Sequence, residues 1–246
     1  MAIIGGRAHS IEQIHEIGKL GYPYVEITLD VPEQIESELD ELLKVKNQYG
    51  LSFLAHYPNE GNPVDVTNLR NRFIPRMKRL FELSALVGIR KGTFHFWLDE
   101  RRITHDVVLQ KIELIAEMVT SARDRGIVLC LENLSEPYSS FVPAFDHVPD
   151  LRMTLDIGHA QLLTEENTSF GFIQNCFGRI EHIHVHDNQG GASHKDDLHL
   201  PLGQGLVDYP RIFSLLKEKG YASTMTMEVK PLEMARTKQE ILKYLD

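Results

Sequence analysis

Eight times along this chain a short apolar run is followed by a loop, an amphipathic stretch and a stop. The runs are Ala2–Ile4, Tyr24–Leu29, Leu51–His56, Gly92–Trp97, Ile127–Glu132, Leu151–Asp156, Ile180–Asn188 and Thr224–Val229. Strands that alternate with helices pair in parallel. Eight such units in 246 residues are enough to close a sheet on itself, so the expected fold is a single (β/α)8 TIM barrel, α/β in class, over residues 1–246.

Local signals set the predicted helices. Ser10 with Gln13 forms a capping box, and Gly21 ends that helix. Pro32 opens the second, and Gly50 stops it. Thr67 caps a third that carries Leu69, Phe73, Met77, Leu80, Phe81 and Ser84 on one face to Gly88; Pro75 kinks it or delays its start. Thr104 caps a long helix with Val108, Ile112, Ile115, Met118, Val119 and Ala122 at helical spacing, closed by Gly126. A short helix is predicted near Pro143–His147, a poorer one over Thr164–Phe177, one from Pro210 to Gly220 and a last one over Thr237–Leu245.

In such a barrel the active face lies at the C-terminal ends of the strands. Those ends are polar here. The third run ends in His56, the fourth holds His95, the fifth ends in Glu132-Asn133 and the sixth in Asp156, with His159 three residues on. The seventh carries His182, His184 and His186-Asp187, and the eighth carries Glu228 with Lys230 two residues on. Asp197 and His199 stand in the loop behind the seventh. Side chains two apart share a face of a strand, so the three histidines point the same way; one of them reaches a common centre while the others lie deeper or beyond it. Imidazoles and carboxylates around one funnel suit Zn²⁺, Mn²⁺ or a similar divalent ion.

Other chemistries find little support. There is no phosphate-binding glycine fingerprint, no nucleophile elbow and no cysteine with an evident base. A net charge of −9 disfavours non-specific nucleic-acid binding, although a local basic face is compatible with an acidic total. No stretch reaches the roughly 18 apolar residues of a membrane span. The first seven residues are too short and glycine-rich for a signal peptide, and two cysteines, Cys130 and Cys176, make neither a disulfide framework nor a zinc knuckle. The expected compartment is the cytoplasm.

The pieces Leu131-Glu132-Asn133, Asp156-Ile157-Gly158-His159-Ala160, His184-Val185-His186-Asp187, Asp197 through Gly205, and Met227-Glu228 resemble, in order and over the whole chain, the xylose-isomerase-like barrels. That family includes sugar and sugar-phosphate isomerases and epimerases, and endonuclease IV. The resemblance to the epimerases implies one metal held by Glu132, Asp156, His184 and Glu228, with the two glutamates moving a proton through an enediolate. The resemblance to endonuclease IV adds His56, His95, His159, Asp197 and His199, and implies up to three zinc ions acting on abasic DNA. The loop Tyr57–Asn62 lacks the aromatic–aliphatic pair that those endonucleases insert into DNA.

The expected function is therefore a metal-dependent sugar or sugar-phosphate isomerase or epimerase, with Zn, Mn or Co as one ion or as many as three. The alternatives are an abasic-site phosphodiesterase and a non-catalytic sugar- or metal-binding barrel. A small-molecule sugar is the expected partner, a homo-oligomer is compatible, and a nucleic acid is the lesser candidate. His186, Lys230, Trp97 and Glu26 are expected to touch substrate, with Arg7 beside Glu26 as a further candidate. The competing readings are a buried ion pair for Glu132 and Glu228, and a solvated turn for Asp197 and His199.

Overall fold

The computed structural model describes residues 2–245. Eight parallel strands close in sequence order, β1 pairing with both β2 and β8. They are β1 (Ile3–Ala8), β2 (Tyr24–Thr28), β3 (Ser52–His56), β4 (Lys91–His95), β5 (Val128–Glu132), β6 (Arg152–Asp156), β7 (Ile180–Val185) and β8 (Thr224–Met227). The connecting helices are α1 (Ile11–Lys19), α2 (Pro32–Tyr49), α3 (Val66–Asn68), α4 (Ile74–Leu86), α5 (His105–Arg123), α6 (Val142–His147), α7 (Ser169–Asn175), α8 (Tyr209–Glu218) and α9 (Pro231–Leu245). None is long and apolar enough to cross a membrane.

Several boundaries differ from expectation, each for a local reason. β1 runs to Ala8 through Gly5 and Gly6, which read as breakers. A Cβ on Gly5 would stand 2.6 Å from the Tyr24 ring, and one on Gly6 2.6 Å from Met234, so these glycines admit close neighbours rather than end the strand. Asp65, not Thr67, caps α3. The chain then takes one wide turn over Leu69–Phe73, in which Ile74 N–H bonds Leu69 O, and Pro75 falls in the first turn of α4, where no N–H is needed. Ser10 does accept from Gln13 N–H, but the Gln13 side chain returns its bond to His9 N–H rather than to Ser10. α7 is shorter than predicted, and α9 starts at Pro231 rather than Thr237, because proline suits a first helical turn.

Register brings the polar strand ends side by side. Arg7 lies opposite Glu26, Thr28 opposite His56, His95 opposite Glu132, Asp156 opposite His184 and His184 opposite Thr226. Five neighbouring pairs of strands thus converge on one mouth without any strand leaving the ring.

Candidate metal centre at the barrel mouth

The four residues Glu132, Asp156, His184 and Glu228 are buried, and each offers one ligating atom within 4.8 Å of the others. Around this ring stand two further groups at the same spacing: His56, His95 and Glu132 on one side, and His159, His186, Asp197 and His199 on the other. Glu132 belongs to both the ring and the first group. Its Oε1 lies 2.9 Å from His184 Nδ1 and 3.2 Å from His159 Nδ1, and its Oε2 lies 2.6 Å from His95 Nε2 and 3.4 Å from His56 Nε2.

Each of these histidines meets an acceptor on one ring nitrogen. In His56, His159, His186 and His199 the Nδ1 faces a backbone carbonyl, of Tyr57, Asn133, Asp187 and Glu228, at 3.1, 3.2, 3.4 and 3.1 Å. His95 Nδ1 meets Asn59 Oδ1 at 2.5 Å. His184 uses its Nε2, 3.0 Å from Glu26 Oε1. His56 and His95 therefore present Nε2, and His184 presents Nδ1, to Glu132 with an acceptor behind the other nitrogen, which is how ligating histidines are oriented in metal sites; in His159 and His199 the same Nδ1 also faces Glu132 and Glu228.

The charges fit a cation as well. Glu26, Glu132, Asp156 and Glu228 are four buried carboxylates beside one guanidinium, Arg7. The carboxylates favour protons on several of the histidines. Burial opposes protonation of His184, but Glu228, Glu26 and Glu132 outweigh it and hold its pKa well above the ordinary value. Burial likewise opposes His159, outweighed by Asp156 and Asp197. His199 rises to about 9, the bond to Asp197 outweighing burial. His56 goes the other way, to about 4, through burial and the nearby Arg7. Its Nε2 is therefore a lone pair aimed at the centre. A divalent ion would replace such protons, so the donor set fits one.

The two glutamates differ. Glu132 is bonded by several imidazoles. Glu228 takes no side-chain hydrogen bond among the described residues; its nearest charged neighbours are His184 and His199 at 3.5 Å and Arg7 at 3.7 Å. Burial would raise its pKa, but His184, His199 and Arg7 prevail and lower it, so the carboxylate is ionised.

The remaining candidates are placed as follows. Glu26 is fully buried below His184, 3.0 Å from its Nε2. His186 is fully buried too; its Nε2 bonds Asp156 and its ring stacks on His199, with centroids 4.1 Å apart, so it braces these two residues. Lys230 is exposed on the segment leading to α9. Trp97 is half-buried after β4, where its backbone N–H bonds Glu60. His182 lies below the ring, where its Nε2 meets Glu26 at 2.9 Å. Sequence reasoning missed His9, whose Nδ1 shares the Thr28 hydroxyl with Arg7, and missed Asp187 as the organiser of its loop. His9 follows β1, whose predicted end stopped short of it.

Comparison with known proteins places the chain in a family. Residues 14–245 match the xylose isomerase-like TIM barrel family, and the chain belongs to it. An uncharacterized protein of Methanocaldococcus jannaschii is 28% identical over 224 residues, covering 83% of this chain and 74% of its own. L-ribulose-5-phosphate 3-epimerase UlaE of Escherichia coli is 24% identical over 243 residues, covering 89% and 81%. Among solved structures, a D-tagatose 3-epimerase-like protein superposes with a TM-score of 0.84 at 21% identity over 98% of this chain and 97% of its own. The IolI protein with a binding zinc atom gives 0.81 at 18% identity over 98% of each.

Proposed function

We propose that this barrel is a divalent-metal-dependent sugar or sugar-phosphate isomerase or epimerase, and that Glu132, Asp156, His184 and Glu228 hold its ion. The observation that carries the reading is the ring itself: three carboxylates and an imidazole, all buried, with ligating atoms within 4.8 Å of one another. The epimerase names of UlaE and of the D-tagatose 3-epimerase-like structure support the reaction class, and the zinc of IolI supports the ion.

A divalent ion bound there supplies Lewis-acid polarisation of a sugar carbonyl. The chain's own residues do the rest. Glu228, ionised and free of side-chain hydrogen bonds, takes the proton from the carbon next to that carbonyl. Glu132, reaching the ring from β5, passes a proton received across its 2.6 Å bond to His95 Nε2 on to the neighbouring carbon or to the opposite face of the enediolate. Its bonds to His95 and His184 hold it in place. Arg7, 3.7 Å from Glu228 Oε1, keeps that base charged.

The test is proton exchange. Pure protein with Mn²⁺, Co²⁺ or Zn²⁺ is incubated in deuterated water with a panel of ketoses, aldoses and their phosphates. Deuterium should enter one carbon of one sugar, and Glu228→Gln should abolish this. Exchange that survives the substitution would refute the base assignment.

One observation favours a second reading. His56, His95, His159, Asp197 and His199 also gather around the ring, enough for two more ions. A multi-zinc phosphodiesterase is the function that would use them. Three zincs per chain, with incision of an abasic-site duplex and no exchange on any sugar, would favour it over the epimerase.

A further inference from the structure

Beneath the ring the barrel is polar where such interiors are usually filled by branched apolar side chains. Lys91 Nζ near the opposite end donates to Thr224 Oγ1 at 3.0 Å. Thr224 Oγ1 lies 2.6 Å from His182 Nδ1. His182 Nε2 lies 2.9 Å from Glu26 Oε2, and Thr226 Oγ1 donates to that same oxygen at 2.6 Å. Glu26 then meets His184 Nε2 at 3.0 and 3.1 Å. Lys91, Thr224, His182, Glu26 and His184 thus form one continuous chain of contacts from below the site up to the ring.

The direction of the chain follows from the donors. An ammonium only donates, so Thr224 accepts from Lys91 and turns its own proton to His182 Nδ1. With Nδ1 accepting, the proton of neutral His182 is on Nε2 and goes to Glu26. Glu26, an acceptor-only carboxylate, also takes the Thr226 hydroxyl. His184 must then donate from Nε2, which leaves its Nδ1 toward Glu132 Oε1, Glu228 Oε1 and Asp156 Oδ2 at 2.9, 3.5 and 3.7 Å. His184 is backed by the Glu26 carboxylate, whereas Nδ1 of His56, His95, His159, His186 and His199 meets a carbonyl or amide oxygen, and His159 and His199 share the Asp197 carboxylate through Nε2.

We propose that Glu26 is a positioning residue: standing above a one-way hydrogen-bond chain that rises from Lys91, it fixes which nitrogen His184 presents to the ion. This rests on the metal reading above. A carboxylate behind a ligating imidazole also makes that ligand more basic. Glu26→Gln keeps the shape but supplies one acceptor oxygen instead of two. His182 and Thr226 claim that oxygen, so the amide NH₂ turns to His184. His184 must then accept at Nε2 and carry its proton on Nδ1, the wrong tautomer for the ring.

The experiment is Zn²⁺ binding to the full chain, by competition with a chromogenic chelator, on wild type, Glu26→Gln and Thr226→Val. Glu26→Gln should weaken zinc on the order of 10- to 100-fold. The metal-free thermal midpoint of Glu26→Gln should fall, because Arg7 and His184 lose a buried charged partner, so affinity is read at a temperature where each variant is folded. Long-range ¹⁵N spectra should show His184 bound through Nδ1 with a proton on Nε2 in wild type, and that signature lost in Glu26→Gln. Thr226→Val, which removes one donor to Glu26, should weaken zinc less but in the same direction, and it decides the matter if Glu26→Gln fails to fold. Affinities within twofold of wild type, or a His184 that keeps its wild-type ¹⁵N signature in Glu26→Gln, would overturn the proposal. A wild-type chain that binds no zinc would overturn the metal reading and this inference with it.

Discussion

The Asp187 carboxylate is the most consequential side chain outside the ring, and substituting it gives a test that needs neither metal nor substrate. It is fully buried and takes four backbone N–H bonds: Asn188 at 2.8 Å and Val207 at 3.0 Å on Oδ1, Gly203 at 2.8 Å and Gly205 at 2.9 Å on Oδ2. Its backbone also pairs in both directions with Leu200. The loop that carries Asp197 and His199 is thereby folded around one anion. Gly205 is required there, because a Cβ would stand 2.3 Å from Asp187 Oδ1.

Hydrogen bonds to a charged group contribute about 1.5–3 kcal/mol each, and a buried donor left alone costs about 1–3 kcal/mol. Gly203 and Gly205 N–H are partly exposed and can turn to water, whereas those of Asn188 and Val207 are buried. Asp187→Ala should therefore cost about 5 kcal/mol. Asp187→Asn can keep its oxygen on the two buried donors and should cost about 2 kcal/mol, in the spirit of one half of the anion retained. Urea denaturation of the metal-free chain measures both. For a chain of this size 1 kcal/mol moves the thermal midpoint by about 2–4 °C, so the alanine variant should melt about 10–20 °C lower. Limited proteolysis between residues 188 and 207 should quicken in the same order. Two variants within about 0.5 kcal/mol of wild type, as for an ordinary surface aspartate, would refute the reasoning.

Three further outcomes are expected. Lys111 is fully buried, with its ammonium 2.6 Å from both Glu60 Oε2 and Trp97 O; Lys111→Met should cost about 3–5 kcal/mol in urea, and the double variant with Glu60→Gln should recover part of it, whereas a strictly additive pair would sink the idea of a coupled ion pair. Gly158→Ala would set a Cβ 2.1 Å from the His186 ring, so it should displace that ring from Asp156 and cost about 1–3 kcal/mol; an unchanged His186 resonance would contradict this. Finally, His199, His159 and His184 have folded pKa values above the unfolded value of about 6.5. Their stabilisation is fully present below that value and is lost as pH rises through the folded values, about 9 for His199. The thermal midpoint of the chelator-treated chain should fall over this interval and flatten when Zn²⁺ is added, and a midpoint that climbs instead would contradict the charge assignment.

The barrel was legible because its evidence is local and repeated. Each apolar run carries its own period, and the stops at Gly50, Gly88, Gly126 and Gly220 need a positive φ, which each of them has. The candidate ligands were legible as strand-end residue types, but their depth was not. His182, His184 and His186 share one face of the seventh run, and only the register of β7 against β6 and β8 decides that His184 is level with Asp156 while His182 sinks to Glu26. Glu26 shows the same gap: it reads as a strand-end residue in sequence, yet β2 continues past it to Thr28, Arg7 and Thr226 pack around it and His184 stands above. Asp187 was hidden differently. Its partners are backbone N–H groups up to twenty residues away, and backbone donors have no residue type to read.

The same geometry also bears on how the two glutamates divide their labour. A carboxylate bonded on both oxygens has its angle fixed. Glu132 is held that way, with His184 on one oxygen and His95 on the other, so it acts from a set position. Glu228 is not: three cationic groups stand 3.5–3.7 Å away and none of them donates to it within bonding distance. Such a carboxylate is ionised by its surroundings but not immobilised by them, and it keeps an oxygen for a proton. This asymmetry argues for proton transfer over pure ligation at Glu228. It makes Glu228→Gln the substitution that should separate chemistry from metal binding, with zinc weakened modestly and exchange lost altogether.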